Sequence, residues 1–251
     1  MPSMRKIRAS IRFISFVIAT LSLYSTWWIG DFFIPNKVYW RQVIFENWAR
    51  SFVWISGMKI EIVGEPPKPP FFLVSNHLSY VDVAALRAVV PTVFVAKREI
   101  VDWFMAGPIV RDMGVVFIDR QNRRDIPRAG KEIIERLDQG EGVVVFPEGT
   151  STKGEEVLAF NSSFFEFAAK ADLPVSYVSV SYTTSEGELP ASDAVCWWDD
   201  ISFIAHMFRL FTVPGYTTIL TFGAEPISNI DRKVLASELR QRISESFVPV
   251  I

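Results

Sequence analysis

Cysteine and histidine are scarce in this chain of 251 residues, which has one cysteine, Cys196, and two histidines, His77 and His206. A single cysteine excludes an internal disulfide and leaves a reducing compartment open. Thiols and imidazoles are too few for a zinc site rich in these ligands, so we expect no metal. Cys196 has no neighbouring histidine in the sequence to activate it, which disfavours a covalent acyl-enzyme.

An excess of positive charge is also missing. The 26 Lys and Arg residues are balanced by 28 Asp and Glu residues, and the formal net charge is −2. No basic field exists to hold nucleic acid, which we exclude as a partner. The chain also lacks the patterns G-x-S-x-G, G-x-x-x-x-G-K-[ST] and G-x-G-x-x-G. Serine hydrolysis, nucleotide triphosphate chemistry and dinucleotide redox chemistry are therefore disfavoured.

Apolar surface, in contrast, is abundant near the N-terminus. Residues 13–30 contain no charged side chain, a length that can enter or cross a bilayer. The run is preceded by four basic residues, Arg5, Lys6, Arg8 and Arg12. Trp27 and Trp28 close the run, as interfacial aromatics often do, and the flanking charge indicates a cytoplasmic start. A cleaved signal peptide and a buried core helix are the alternatives.

Residues 38–56 form a second helical pattern, in which aromatic and aliphatic residues recur at helical spacing between charged ones. This helix is expected either to form a membrane-associated hairpin with the first, with Pro35-Asn36 at the turn, or to pack on a soluble core. We therefore divide the chain into membrane-associated helices, residues 1–58, and a second domain, residues 59–251.

The second domain alternates short apolar runs with longer mixed segments after the proline-rich loop 65–70. The predicted strands are 71–75, 92–96, 115–118, 143–146, 175–182 and 217–222. The predicted helices are 81–90, 126–137, 162–171 and 232–247, the last with Asp231 as N-cap. Residues 203–211 are predicted to be an apolar helix in which His206 packs in a core or faces a membrane. This alternation predicts an α/β fold with a mixed, largely parallel sheet flanked by helices.

The pair His77 and Asp82 carries the chemistry that we predict. His77 follows the strand 71–75, and Asp82 lies five positions later, in the first turns of the next helix. A carboxylate that reaches back to the imidazole fixes its tautomer and stabilises the imidazolium. A substrate that brings its own hydroxyl needs no serine, because His77 can take the hydroxyl proton as general base. The ends of parallel strands are where α/β folds place such sites.

Four segments in order resemble the glycerolipid acyltransferases, of which 1-acylglycerol-3-phosphate acyltransferase is the type. The first is His77-x4-Asp82, introduced by Asn76, and the second is the run Gly114-Val-Val-Phe-Ile-Asp-Arg120. The third is Phe146-Pro-Glu-Gly-Thr150, and the fourth begins with Leu173-Pro-Val175. The resemblance covers about residues 71–182.

The resemblance implies a glycerol-3-phosphate acyltransferase-like fold and a membrane-bound enzyme on the cytoplasmic side, at the inner membrane if the source is bacterial. The enzyme would transfer an acyl chain from acyl-CoA or acyl carrier protein to a lysolipid hydroxyl, without a cofactor. His77 and Asp82 would be catalytic. The expected substrate-binding residues are Asn76, Lys97, Arg120, Glu148, Gly149 and Thr150.

These substrate-binding residues also have physical interpretations. Arg120 emerges at a strand end, where it binds a phosphate or pairs with a neighbouring carboxylate. The resemblance implies that Glu148 holds glycerol hydroxyls, and a buried glutamate that braces its own loop is the alternative. The backbone N–H of Gly149 is expected to face a developing oxyanion. Lys97, beside Arg98, is a second basic group or part of a solvated surface pair.

Two departures from the family pattern concern the acceptor headgroup. Ser151 stands where members acting on 1-acylglycerol-3-phosphate usually carry arginine, which removes a bidentate phosphate partner. Tyr177 stands where the fourth block commonly has a second proline. We expect 1-acylglycerol-3-phosphate as acceptor, with lyso-ornithine lipid as the first alternative, because residues 149–163 resemble that branch. A non-catalytic lipid-binding scaffold and a metal-dependent hydrolase are the competing functions.

Overall fold

The computed structural model describes residues 2–104, 106–119 and 125–250. The strands are β1 Met58–Val63, β2 Phe71–Ser75, β3 Thr92–Lys97, β4 Val116–Ile118, β5 Gly142–Val145, β6 Val175–Thr184 and β7 Tyr216–Phe222. The α-helices are α1 Pro2–Phe33, α2 Lys37–Ser56, α3 Val81–Val89, α4 Ala106–Asp112, α5 Asp125–Asp138, α6 Glu166–Lys170, α7 Ala191–Ala194, α8 Phe203–Thr212 and α9 Arg232–Ser246. Two 3-10 turns span Arg98–Asp102 and Ser162–Phe165.

The described strands form one sheet in the order β1-β7-β6-β2-β5-β3-β4. All neighbouring pairs are parallel except β6 and β7. Helices α2, α3 and α8 contribute to the core on one side of the sheet, and α5, α6 and α9 to the core on the other. The predicted class, a mixed and largely parallel sheet flanked by helices, is therefore confirmed.

Most predicted elements match the structure, but the edge strand β1 and the short helices α4 and α7 were not predicted. The edge strand β1 was not predicted, although Met58, Ile60 and Ile62 alternate with Lys59 and Glu61. The predicted helix 162–171 is instead a 3-10 turn followed by the short helix α6. Asp231 caps α9 as predicted, because its side chain accepts hydrogen bonds from the first backbone N–H groups of the helix.

The two N-terminal helices pack on the α/β core instead of standing apart from it. Helix α1 contacts α2 and α8, and α2 contacts α3. Phe45, Phe52 and Ile55 of α2 are buried in the same apolar cluster as residues of β2 and β6. The predicted boundary between residues 58 and 59 falls at the start of β1, and the division into two domains stays a prediction.

Charged side chains tie the N-terminal helices to the rest of the chain. Arg41 of α2 donates a 2.5 Å hydrogen bond to the buried carboxylate of Glu141, which precedes β5. Arg12 of α1 donates to the carbonyl oxygens of Val213 and Pro214 at 2.7 and 2.8 Å. These contacts hold α1 along the surface of the domain, beside the end of α8.

Candidate active site

His77 and Asp82 meet at the C-terminal end of β2. The strand ends at Ser75, the chain turns, and α3 begins at Val81, so that Asp82 lies in its first turn. The His77 Nδ1 atom is 2.7 Å from Asp82 Oδ2. The His77 side chain is 21% exposed and that of Asp82 is fully buried. The carboxylate is therefore shielded while the imidazole is reachable from outside, and the predicted contact between the two residues is present.

Four donors surround the Asp82 carboxylate. Besides the imidazole, Oδ2 accepts hydrogen bonds from the backbone N–H groups of Leu78 and Ser79 at 2.8 and 3.1 Å. The hydroxyl of Tyr182 donates to Oδ1. The Asp82 oxygens accept all four of these hydrogen bonds, so the imidazole donates through Nδ1. Its Nε2 atom is then the free basic nitrogen.

Both backbone groups of His77 are also fixed. Its N–H donates to Glu148 Oε1 at 2.9 Å, and its carbonyl accepts from the N–H of Thr152 at 3.0 Å. The imidazole lies flat on the ring of Phe146, with centroids 4.2 Å apart. Phe146 and Glu148, from the third resemblance block, therefore both contact His77 of the first block. Neither motif predicts these contacts on its own.

Glu148 braces two loops. Its second oxygen, Oε2, accepts a hydrogen bond from the backbone N–H of Leu158 at 3.2 Å. Arg240 of α9 holds the same loop, because its guanidinium donates to the carbonyl oxygens of Val157 and Leu158. Burial raises the pKa of Glu148 to about 7, against the opposing effect of its two backbone donors. This geometry favours the bracing role over the predicted contact with glycerol hydroxyls.

Gly149 closes the turn that carries Glu148. Its φ of 79° lies in the left-handed region, where a residue with a Cβ atom is strained. Its N–H donates to the carbonyl of Phe146 at 3.2 Å, and its predicted role as an oxyanion donor stays a prediction. Thr150, next in the chain, is exposed, and so is Lys97 at the end of β3. Their predicted contacts with substrate stay predictions.

The side chain of Asn76 is bonded to the backbone of β6. It is buried, its side-chain N–H donates to the carbonyl of Val180 at 2.9 Å, and its side-chain oxygen accepts from the N–H of Val180 at 2.8 Å. The amide thus clamps the catalytic turn to β6. The predicted contact of Asn76 with substrate stays a prediction.

Arg120 lies outside the described residues, so its predicted role stays a prediction. Within the described ranges, no cluster of three or more His, Cys, Asp or Glu residues is arranged to hold a metal ion.

Cys196 is buried, and burial raises the pKa of its thiol, which disfavours a nucleophilic role. His206 is buried as well, and burial lowers its pKa to about 4. It contacts the carbonyl of Cys196 at 2.9 Å and the hydroxyl of Tyr80 at 3.2 Å, which confirms its placement in the core.

The backbone of Trp197, in the segment after α7, is hydrogen-bonded to residues near both His77 and Glu148. The backbone N–H of Trp197 donates to the carbonyl of Leu78 at 2.8 Å, beside His77. The hydroxyl of Ser151 donates to the carbonyl of Trp197. Ser151, the position that departs from the family pattern, is therefore engaged with the protein backbone.

A partly exposed imidazole braced by a buried carboxylate at the end of a parallel strand is the arrangement of an enzyme active site. A family model described as Acyltransferase matches residues 59–182. A 1-acyl-sn-glycerol-3-phosphate acyltransferase of Neisseria gonorrhoeae is 30% identical over 186 residues, which are 72% of this chain and 72% of that protein. The chain therefore belongs to this acyltransferase family and is an acyltransferase.

Two other similarities add to this assignment. A lyso-ornithine lipid O-acyltransferase of Pseudomonas aeruginosa is 29% identical over 204 residues, which are 81% of this chain and 78% of that protein. The crystal structure of the 1-acyl-sn-glycerophosphate acyltransferase PlsC from Thermotoga maritima superposes with a TM-score of 0.68 and 22% identity, over 96% of this chain and 97% of that one. At this identity the superposition establishes the fold alone.

Proposed function

We propose that this protein transfers a fatty acyl chain from a thioester, acyl-CoA or acyl carrier protein, to the free hydroxyl of a lysolipid, with His77 as general base. The observation that carries the proposal is the 2.7 Å contact between the partly exposed imidazole and the buried Asp82 carboxylate. Its place at the end of a central parallel strand is where α/β folds bind ligands. No metal or organic cofactor is part of the proposal.

The reaction needs one proton transfer and one acyl transfer. His77 Nε2 takes the proton of the lysolipid hydroxyl while the hydroxyl oxygen attacks the thioester carbonyl carbon. The new carbon–oxygen bond forms, the carbon–sulfur bond breaks, and the proton passes to the leaving thiolate. Asp82 keeps the imidazole in the tautomer with the proton on Nδ1 and stabilises the imidazolium. Proton transfer of this kind contributes about 10²–10⁴-fold to the rate.

The acceptor that we favour is lyso-ornithine lipid, and the specific observation is Ser151. This residue brings no guanidinium to the site, and its hydroxyl donates to the Trp197 carbonyl. A phosphate headgroup loses a bidentate partner there. The relatives from Pseudomonas aeruginosa, Rhodobacter capsulatus and Brucella abortus are named as lyso-ornithine lipid O-acyltransferases. The second candidate, 1-acylglycerol-3-phosphate, is supported by the four resemblance blocks and by the Neisseria relative.

We also propose that α1 docks the enzyme on the cytoplasmic face of a membrane, at the inner membrane if the source is bacterial. Residues 4–33 are long and apolar enough to cross a bilayer, by length and composition only. Arg12 is bonded to the backbone of the domain, which favours a helix that lies along the lipid surface over one that spans it. The lysolipid then reaches the site from the membrane.

The decisive experiment supplies purified protein in detergent with each lysolipid and each thioester donor, and identifies the products by mass spectrometry. We expect acylated lysolipid from the native protein and a loss of at least a hundredfold in kcat for His77→Ala and Asp82→Asn. The matched control is Asp193→Asn, which neutralises an exposed carboxylate of α7 and is expected to leave activity unchanged. Full activity of a folded His77→Ala variant would refute the mechanism. Native protein that binds lysolipid without consuming thioester would favour a scaffold.

A further inference from the structure

The phenol of Tyr182 reaches the catalytic carboxylate from the centre of the sheet. Strand β6 runs parallel to β2, and Ser75, the last residue of β2, pairs with Val178. Tyr182 lies four residues further along β6, about 13 Å past the end of β2. Its hydroxyl there donates to Asp82 Oδ1.

The two oxygens of Asp82 have different partners. Oδ2 accepts from the imidazole of His77 and from the backbone N–H groups of Leu78 and Ser79. The described donor to Oδ1 is the Tyr182 hydroxyl. Asp82 is fully buried and Tyr182 is 1% exposed, so water has little access to replace this donor. Removing or altering the Tyr182 hydroxyl therefore changes the electrostatic effect of the Asp82 carboxylate on the His77 imidazole.

We propose that Tyr182 is a positioning residue that sets the proton affinity of His77 through Asp82. This inference rests on the proposed role of His77 as general base. The hydrogen bond from the phenol delocalises part of the negative charge of Asp82. It therefore lowers the affinity of the His77–Asp82 pair for an additional proton. Burial keeps the Tyr182 pKa well above its usual value, so that the phenol remains a donor at all working pH values.

Other titratable groups face the same carboxylate. These are Glu148 from the turn after β5, Cys196 after α7, and Tyr216 from β7. Burial raises the pKa of the Cys196 thiol and of the Tyr216 phenol, so both stay neutral near pH 7. Burial raises the pKa of Glu148 to about 7, and this group therefore changes charge in the range of the test.

Two cations face these groups at longer range, Arg240 opposite Glu148 and Arg12 opposite Tyr216. Arginine side chains in proteins keep their proton in the working pH range. The test is therefore done in the native chain and in Glu148→Gln, so that titration of Glu148 is separated from titration of the His77–Asp82 pair.

The main variant is Tyr182→Phe, which removes the hydroxyl and keeps the ring. We expect the acid limb of the kcat/KM profile to move up by about one pH unit, as for the loss of a hydrogen bond to a buried charge. The matched control is Tyr216→Phe. Tyr216 is also buried, its ring packs edge-on to Tyr182 at 6.2 Å, and its hydroxyl donates to Ser56 Oγ at 3.1 Å. We expect its profile to stay in place.

A second variant covers the case in which Tyr182→Phe does not fold. Site-specific 3-fluorotyrosine at position 182 keeps the shape, makes the phenol a stronger donor, and is expected to move the acid limb to lower pH. The ¹⁵N ring resonances of the two histidines supply a readout without turnover. The His77 signal is assigned by its loss in His77→Ala, and its titration must shift in the same directions.

The outcomes separate this inference from the proposed function. The role of Tyr182 would be overturned if the acid limb and the His77 resonance stay in place in both variants at position 182. This outcome would leave the role of His77 as base intact. Equal shifts for Tyr182→Phe and Tyr216→Phe would also overturn it, because they would reflect a general loosening of the sheet. Full activity of His77→Ala would instead refute the proposed function. A shift confined to position 182 supports the inference.

Discussion

The imidazole of His77 lies flat on the ring of Phe146, with the centroids 4.2 Å apart and the planes 18° from parallel. Phe146 follows β5, which pairs in parallel with β2, so the stack joins the ends of adjacent strands. Phe146 also stacks on Phe94 of β3, with the centroids 6.1 Å apart. A row of rings across three strands thus fixes the orientation of the base.

We expect Phe146→Leu to lower kcat by up to about tenfold with little change in KM, because a stacked pair contributes about 0.5–1.5 kcal/mol to holding the ring. Steady-state kinetics with saturating donor measure this. Phe94→Leu is the control, since it makes the same change one ring further from His77, and its kcat should fall less than threefold. Equal effects of the two variants would mean that the stack does not orient the base.

Glu148 gives the folded state a characteristic pH dependence. Burial raises its pKa from 4.5 to about 7, so the folded chain binds a proton more tightly than the unfolded chain. The resulting stabilisation is present in full below about pH 4.5 and is lost as the pH rises to about 7. The loss corresponds to about 3 kcal/mol.

Urea unfolding at pH 4.5 to 8 should therefore show this loss in the native chain and not in Glu148→Gln. Glu166→Gln is the control, because the hydrogen bond from Lys170 lowers the Glu166 pKa and reverses the sign. Its difference from the native chain should be constant over most of this range and shrink only as the pH falls through the usual carboxyl range. A Glu148→Gln variant with the native slope would contradict the assignment.

The sequence was sufficient to predict the contact between His77 and Asp82, because both residues lie on one turn between β2 and α3 and local geometry determines their meeting. Tyr182 and Phe146 could not be predicted in the same way. They reach the pair from other strands, and only the pairing of β2 with β5 and β6 brings them there. The contact of Asn76 with Val180 on β6 could not be predicted either, because the two residues are 104 positions apart.

The edge strand β1 was missed for a related reason. It pairs with β7, more than 150 residues later, with Met58 opposite Tyr216. One face of an edge strand is solvated and its run is short, so the alternating pattern directly after a long helix is a weak signal. The central strands were easier to predict, because strands such as β2 and β5 are buried along their entire length.

Ser151→Arg tests the choice of acceptor. A guanidinium at this position restores the phosphate partner common in members that act on 1-acylglycerol-3-phosphate. We expect the ratio of kcat/KM for 1-acylglycerol-3-phosphate over lyso-ornithine lipid to rise about tenfold, and the gain to shrink at high salt. Ser151→Gln has similar reach without charge, and should leave the ratio unchanged. An unchanged ratio in Ser151→Arg would remove Ser151 as a determinant of the acceptor.

The outer face of α1 carries a stripe of isoleucines suited to a lipid surface. Ile7, Ile11, Ile14 and Ile18 are 55–60% exposed and recur at helical spacing. Their side chains face away from the core that buries Ala9 of the same helix. Burial of such residues in the lipid interface stabilises docking by about 1.5–3 kcal/mol each.

We therefore expect Ile11→Asp with Ile18→Asp to lower binding to vesicles of anionic phospholipid by about a hundredfold or more, measured by flotation. Activity on substrate dispersed in detergent should persist, because neither residue lies at the site. The control places the same two charges at Ile230 and Val234, which are exposed beside the start of α9, on the other side of the sheet. If both double variants float like the native chain, the isoleucine stripe does not face lipid, and the substrate must reach His77 by another surface.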